Sequence, residues 1–200
     1  MENLDVYIPQ DRRIALSSGA DLPRDTHGAA LFADISGFTP LTEGLSRALG
    51  PRRGAEELTR QLNLVYDALV AEVDRYGGSV LGFSGDAITC WFGEAPDGAA
   101  AARALTCGAA LQRALAAVGQ VTTPGGLEVQ LTLKVAVAAG TARRMLVGDP
   151  GVQQIELLAG QIMDRLAAGE QLAGPGEVLA DAESLERAGR VAVPGEWRAS

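Results

Sequence analysis

Two short segments each hold one aspartate in surroundings that are otherwise apolar or small: Phe32-Ala33-Asp34-Ile35-Ser36-Gly37-Phe38-Thr39 and Gly82-Phe83-Ser84-Gly85-Asp86-Ala87. Asp34 ends the run Ala29-Ala30-Leu31-Phe32-Ala33, which reads as a buried strand. Asp86 sits at a glycine-flanked reversal between Val80-Leu81 and Ile88-Thr89-Cys90-Trp91-Phe92. That pattern reads as a hairpin. Any fold of this chain must therefore accept a carboxylate at the ends of two core strands. Carboxylates are seldom buried without a partner. Two at adjacent strand ends suggest a cation, and hard oxygen ligands suit Mg²⁺ or Mn²⁺ held together with substrate phosphates. A lone aspartate at a strand end is more often a turn former or a helix cap. The context of Asp34 favours the cation. Gly37 allows close backbone approach, Thr39 is predicted to cap a helix, and Pro40 suits its first position. The free N–H groups of that helix start then face an anion. A strand, a carboxylate, a tight turn and a helix N-terminus together make a triphosphate site. No Walker A pattern is present, so it is not a P-loop.

The periodicities give the rest of the organisation. Residues 1–27 read as a polar, irregular N-terminal arm with breaks at Pro9 and Pro23. From Gly28 the order is strand, helix, helix, strand, strand, helix, strand, strand, helix. Leu58, Leu62, Val65, Tyr66, Leu69, Val70 and Val73 mark an amphipathic helix closed by Gly77-Gly78. Asp97 to Val118 reads as an alanine-rich helix, and Thr122 to Gly126 as a loop. Val129, Leu131, Leu133, Val135 and Val137 alternate as in a half-buried strand. Residues 141–148 and 153–158 are two further strand candidates around Gly148-Asp149-Pro150-Gly151. Gly160 opens a last helix carrying Ile162, Met163, Leu166 and Leu172. The sum is an α+β fold, an antiparallel sheet with helices on one face, in residues 28–182. Residues 183–200 read as a tail or linker.

Composition excludes several function classes. Two hundred residues suit one domain with a sizeable core. A net charge of −8 argues against nucleic acid or an anionic membrane as the main partner. No apolar stretch is long enough to span a bilayer. The start Met1-Glu2-Asn3-Leu4-Asp5 lacks the features of a signal peptide. Cys90 and Cys107 are isolated within apolar runs and read as reduced core residues, which points to the cytoplasm. The one histidine, His27, reads as a surface residue. A two-histidine metal site has no second histidine to draw on.

The segment Gly28 to Glu43, with Gly77-Gly78-Ser79-Val80-Leu81-Gly82-Phe83-Ser84-Gly85-Asp86, resembles the class III adenylyl/guanylyl cyclase catalytic domain. It is most similar to the first, metal-carrying half of soluble, bicarbonate-regulated adenylyl cyclases and to the leading domain of bacterial multidomain cyclases. The opening Tyr7 to Arg13 is similar to the same bacterial proteins. The resemblance implies a ferredoxin-like core. Diguanylate cyclases share that core, but Gly148-Asp149 is followed here by Pro150 and their signature is missing. The resemblance further implies cyclisation of ATP, with GTP less favoured, to cyclic AMP and pyrophosphate. Asp34 and Asp86 would bridge two Mg²⁺ or Mn²⁺ ions, and the Ile35 carbonyl would join one of them. Backbone N–H groups at Gly37, Phe38 and Thr39 would hold the phosphates.

The other half of such a site is missing. The family's adenine-selecting lysine falls at Gly82 and its second base-reading position at Ile155. The asparagine for the ribose and the arginine for the transition state fall at Asp164 and Ala168. The bicarbonate-binding lysine and arginine fall at Gly82 and Ala167, against direct bicarbonate control. Arg165 lies one turn from the arginine position. Arg143 and Arg144 are candidates for phosphate, with surface solubility as the plain alternative. Loss of a transition-state stabiliser costs about 2.7–4 kcal/mol of barrier. The expectation is therefore a half-site that needs a second cyclase domain, in the same longer protein or in a homodimer. The alternative is a regulatory nucleotide-binding module that does not turn over.

Overall fold

A computed structural model describes residues 8–96, 98–149, 151–192 and 195–198. Tyr7, Asp97 and Pro150, which figure in the sequence reading, lie outside the described residues. The chain runs α1 (Gln10–Ser18), β1 (Asp25–Ser36), α2 (Phe38–Leu49), α3 (Pro51–Arg75), β2 (Ser79–Ser84), β3 (Ala87–Gly93) and α4 (Ala100–Val118). It continues with β4 (Gln120–Thr122), β5 (Glu128–Gln130), β6 (Thr132–Asp149), β7 (Gln153–Ala159), α5 (Gln161–Leu172), β8 (Val178–Ala180) and α6 (Ala182–Ala188).

The main sheet is ordered β2-β3-β1-β6-β7 and is antiparallel along that path, while β8 joins β6 in parallel. β4 and β5 form a separate hairpin. The centre of the sheet is β1 against β6, where small residues let both faces be covered. Ala29, Leu31, Ala33 and Ile35 of β1 and Val135, Val137 and Ala139 of β6 face one core, which α3 and α4 close with Val65, Leu69, Val73, Cys107 and Leu111. Ala30, Ala136 and Ala138 face the opposite way, towards Trp91 and α5 residues Ile162 and Leu166. Helices on one face only, as the sequence suggested, is thus corrected. Strands buried on both sides lose the alternation that marks a one-sided sheet and read as a continuous apolar run.

Three other expectations change. The first 27 residues are not uniformly irregular, because α1 forms and β1 begins at Asp25. The strand candidates 129–137 and 141–148 are not separate elements. Val129 belongs to β5, and β6 runs unbroken from Thr132 to Asp149. Gly140, which falls between those two candidates, lies opposite Gly28 in the ladder. Beyond α5 the chain adds β8 and α6, and Asp181 caps α6 by accepting from the Ser184 N–H at 2.7 Å.

Gly28 is a glycine because nothing else fits. A Cβ there would lie 2.2 Å from the Phe92 carbonyl oxygen and 2.6 Å from the Trp91 ring. Overpacking of this kind costs about 1–3 kcal/mol. We expect Gly28→Ala to lose about 2–3 kcal/mol in urea unfolding. Gly82→Ala, where a Cβ meets nothing within 4 Å, is expected to cost far less.

Candidate active site

β1 carries Asp34 near its C-terminal end, opposite Ala87 of β3 on one side and Lys134 of β6 on the other. Asp86 immediately precedes Ala87 in the two-residue turn between β2 and β3. The Ile35 N–H donates to the Asp86 carbonyl at 3.3 Å, which ties the turn to β1. Strand pairing alone therefore brings the two aspartates of the sequence reading to one end of the sheet. Directly paired residues share a face, so Asp34 and Lys134 project together on the side covered by α5. Asp34 is half-buried and Asp86 exposed.

The electrostatics are those of a site short of positive charge. Burial holds the Asp34 carboxyl above its ordinary value, Asp86 raises it further, and Glu170 of α5 adds to this while Lys134 opposes it. An aspartate with a good internal partner shifts the other way. Lys134 is the chain's one lysine. It is half-buried, and among the described residues it enters no ion pair.

Gly37 follows β1 with φ 109°, a left-handed conformation that only glycine adopts readily. A Cβ there would also sit 3.1 Å from the Gln130 carbonyl oxygen and 3.1 Å from the Leu131 side chain. Gly37 itself is the N-cap of α2, which starts at Phe38. The expected cap at Thr39 is thereby corrected. The chain turns two residues earlier because glycine can make the turn without a side-chain cap. The first turn of α2 has no capping side chain and no acidic residue. Its leading N–H groups, at Phe38 and Thr39, remain available to an anion.

The basic residues singled out in the sequence are engaged elsewhere. Arg144 is buried between Glu156 and Asp11, and Arg12 of α1 reaches the same Glu156 with two bonds of 3.2 Å. It is neither a phosphate ligand nor a surface residue. Arg143 pairs with Asp25 at 3.4 Å at the surface. Arg165 is held by Asp181 and Glu183, each at 2.7 Å, and donates to the Ala139 carbonyl at 2.6 Å. His27 is exposed and bonds Thr141 at 3.0 Å. A cavity of about 630 Å³ lies between α4, α5, β8, residues 191–192 and residues 195–198. Ala168 lines it, but neither aspartate does.

Among the described residues no three His, Cys, Asp or Glu side chains are grouped to hold a metal by themselves. The donors present are two carboxylates and one strand-end carbonyl. That set fits a hard cation whose remaining ligands come from phosphate and water. The raised Asp34 carboxyl, beside the Asp86 carboxylate, supports the fit, because a nearby cation would offset the cost that burial and Asp86 place on its charge.

No family model matches the chain. It is 48% identical over 61 residues to adenylate cyclase type 10 of Rattus norvegicus and of Mus musculus. Those residues are 30% of this chain and 4% of each relative, so the chain spans a small part of their length. Among solved structures it is similar to the guanylyl cyclase Cya2, with 26% identity and a TM-score of 0.66, over 82% of this chain and 79% of that one. The chain has the class III nucleotidyl cyclase fold. The adenylyl cyclase CyaB from P. aeruginosa shares the cyclase fold at a TM-score of 0.65 and 23% identity, over 82% of this chain and 80% of that one. These cyclase neighbours include both nucleotide specificities.

Three residues of the cyclase fold near the aspartates escape sequence reasoning. Lys134 and Glu170 lie far from Asp34 in sequence and meet it only through pairing and helix packing. Tyr66, read as a core residue, reaches the turn beside Asp86. The one available signal is that Lys134, the chain's sole lysine, interrupts the otherwise apolar run Leu133 to Gly140. No helix among the described residues is long and apolar enough to cross a membrane.

Proposed function

We propose that this chain is the cation-bearing half of an adenylate cyclase site in the cytoplasm, and that a second cyclase domain completes it. The observation that carries the reading is the pair Asp34 and Asp86 at adjacent strand ends, with the Asp34 carboxyl destabilised by burial and by its neighbour. A structural domain gains nothing from that arrangement. The specificity for ATP is supported by the local identity with adenylate cyclase type 10.

The reaction is an attack of the ribose 3′ oxygen on the α-phosphorus. The bond from phosphorus to the bridging oxygen breaks, pyrophosphate leaves, and the 3′ hydroxyl loses its proton. Asp34, Asp86 and the Ile35 carbonyl would hold two Mg²⁺ or Mn²⁺ ions. Bound there, such ions supply charge neutralisation and a more acidic 3′ hydroxyl. The Phe38 and Thr39 N–H groups at the start of α2 orient the triphosphate. The Lys134 ammonium draws its negative charge to the face that holds Asp34. These groups position and neutralise, which is most of what phosphoryl chemistry asks of a protein.

The complement is needed because this chain lacks donors for the base and the transition state. Gly82 lies in β2 with open space beside it. Ile155 is half-exposed on β7, and Asp164 is exposed on α5. An apolar surface stands ready for a partner. Met145 opposes Leu157 and Val147 opposes Ile155, so the four share one face of the β6–β7 hairpin, and all are exposed. Exposed apolar clusters of this kind mark interaction surfaces.

The test is cyclic nucleotide production by the isolated chain with Mn²⁺ and ATP or GTP in separate tubes, followed by addition of a complementary cyclase domain. We expect little turnover alone, metal-dependent ATP binding, and cyclic AMP once the complement is present. Turnover by the chain alone that rises more than linearly with its concentration would replace the half-site with a homodimeric cyclase. The four lost positions also favour a second reading, a nucleotide-binding regulatory domain. Binding without product, whatever complement is added, would establish that one.

A further inference from the structure

The turn that carries Asp86 is the most exposed part of the candidate site, yet it is tethered at both of its central residues. Gly85 has φ 64°, and no residue other than glycine has positive φ among those described. That is the pattern of a type II′ hairpin turn, with glycine in the first central position. The Asp86 carbonyl accepts from the Ile35 N–H. The Gly85 carbonyl accepts from the Tyr66 hydroxyl at 3.3 Å. The first tether is backbone and follows from the sheet. The second is a side chain from α3, which comes from the opposite face of the sheet to Asp34.

The Tyr66 ring is itself held. It packs at the edge of the α3 core and meets Phe83 of β2 edge to face, with ring centres 5.1 Å apart and planes at 79°. Phe83 is 57% exposed, a large apolar surface left in water on the strand leading into the turn. An exposed aromatic contributes little to a core. What this one does is fix the ring whose hydroxyl fixes Gly85. Burial keeps the Tyr66 hydroxyl protonated to higher pH than usual, with Asp86 adding to the effect, so it stays a donor.

We propose that Tyr66 is the positioning residue of the Asp86 turn, braced by Phe83, and so sets how tightly this site holds a divalent cation. This rests on the reading of Asp34 and Asp86 as cation ligands. Beyond its ladder ends at Ser84 and Ala87, a two-residue turn tied only to Ile35 can still rock about that bond. Anchoring Gly85 removes the pivot and holds the Asp86 carboxylate towards Asp34. The order this imposes precedes binding, so it appears as affinity.

The experiment is Mn²⁺ titration of the intact chain, followed by electron paramagnetic resonance of free Mn²⁺, without nucleotide. Tyr66→Phe keeps the ring contact and removes the hydroxyl. We expect it to raise the half-saturating Mn²⁺ concentration about five-fold, the factor equivalent to one ordinary hydrogen bond. Thr59→Val removes another hydroxyl-to-carbonyl bond of α3, from Thr59 to Ala55 at 2.9 Å, and is expected to leave Mn²⁺ affinity unchanged. Phe83→Leu keeps the hydroxyl, loosens the ring, and is expected to weaken binding in smaller measure. It also serves should Tyr66→Phe not fold. Wild-type affinity in Tyr66→Phe alongside lost binding in Asp86→Asn would overturn the positioning role and leave the cation site standing. Wild-type affinity in Asp86→Asn would overturn both.

Discussion

Asp34→Asn is expected to lower Mn²⁺-dependent ATP binding, and cyclic AMP synthesis in the completed assembly, by at least about 100-fold. The asparagine has the same shape and keeps a carbonyl oxygen, so the loss would report charge. The unliganded chain should respond in the opposite sense. The Asp34 carboxyl is raised by burial and by Asp86, so its folded value lies above its unfolded one. An acid raised in this way makes the ionised form unfavourable to folding at every pH above that folded value. At neutral pH the neutral amide removes the penalty, and the metal-free variant is expected to be no less stable than the parent. Thermal unfolding with and without Mn²⁺ separates the two effects. Wild type should gain stability with the ion and the variant should not. A variant that is destabilised without metal and binds ATP normally would make Asp34 a structural residue and remove the basis for the proposed function.

The largest stability effect is expected away from the site, at Arg144→Ala. The Arg144 and Glu156 side chains are 4% and 3% exposed. Removing one member of a buried ion pair strands the other, which costs about 3–5 kcal/mol. Arg12 still reaches Glu156 here, at 3.2 Å from a partly exposed position. We therefore place the loss near the lower end, about 3 kcal/mol in urea unfolding. The same change frees Asp11, whose N–H also donates to Ser79 of β2 at 2.9 Å. Loss of Arg144 should thus loosen α1, which Arg12 and the Asp11 N–H still hold, read as faster amide exchange in residues 10–18. Arg143→Ala, one residue away, removes only an exposed pair at 3.4 Å and is expected to shift stability by less than about 1 kcal/mol. Equal effects at the two positions would show that burial of Arg144 does not govern the stability of this hairpin.

What could be read from the chain follows how far apart the interacting residues lie. The helix over 51–75 shows in the spacing of Val65, Leu69 and Val73, and the β2–β3 hairpin shows in the glycines around Asp86, because both patterns are local. The continuity of β6 through Gly140 did not show, since it depends on pairing with Gly28 more than a hundred residues earlier. α1 was illegible for the same reason. Its sequence has little apolar periodicity, and it is held by ion pairs from Asp11 to Arg144 and from Arg12 to Glu156.

The sequence by itself determined that two carboxylates end two core strands and that a tight turn at Gly37 and then a helix follow the first. Those features are covalent neighbours, and neighbours need no fold to be placed together. Only the tertiary structure decided that Lys134 shares the face of Asp34, that Tyr66 ties down Gly85, and that Arg144 is committed to Glu156. Each of those outcomes depends on strand register or helix docking, where a shift of one residue sends a side chain to the opposite face.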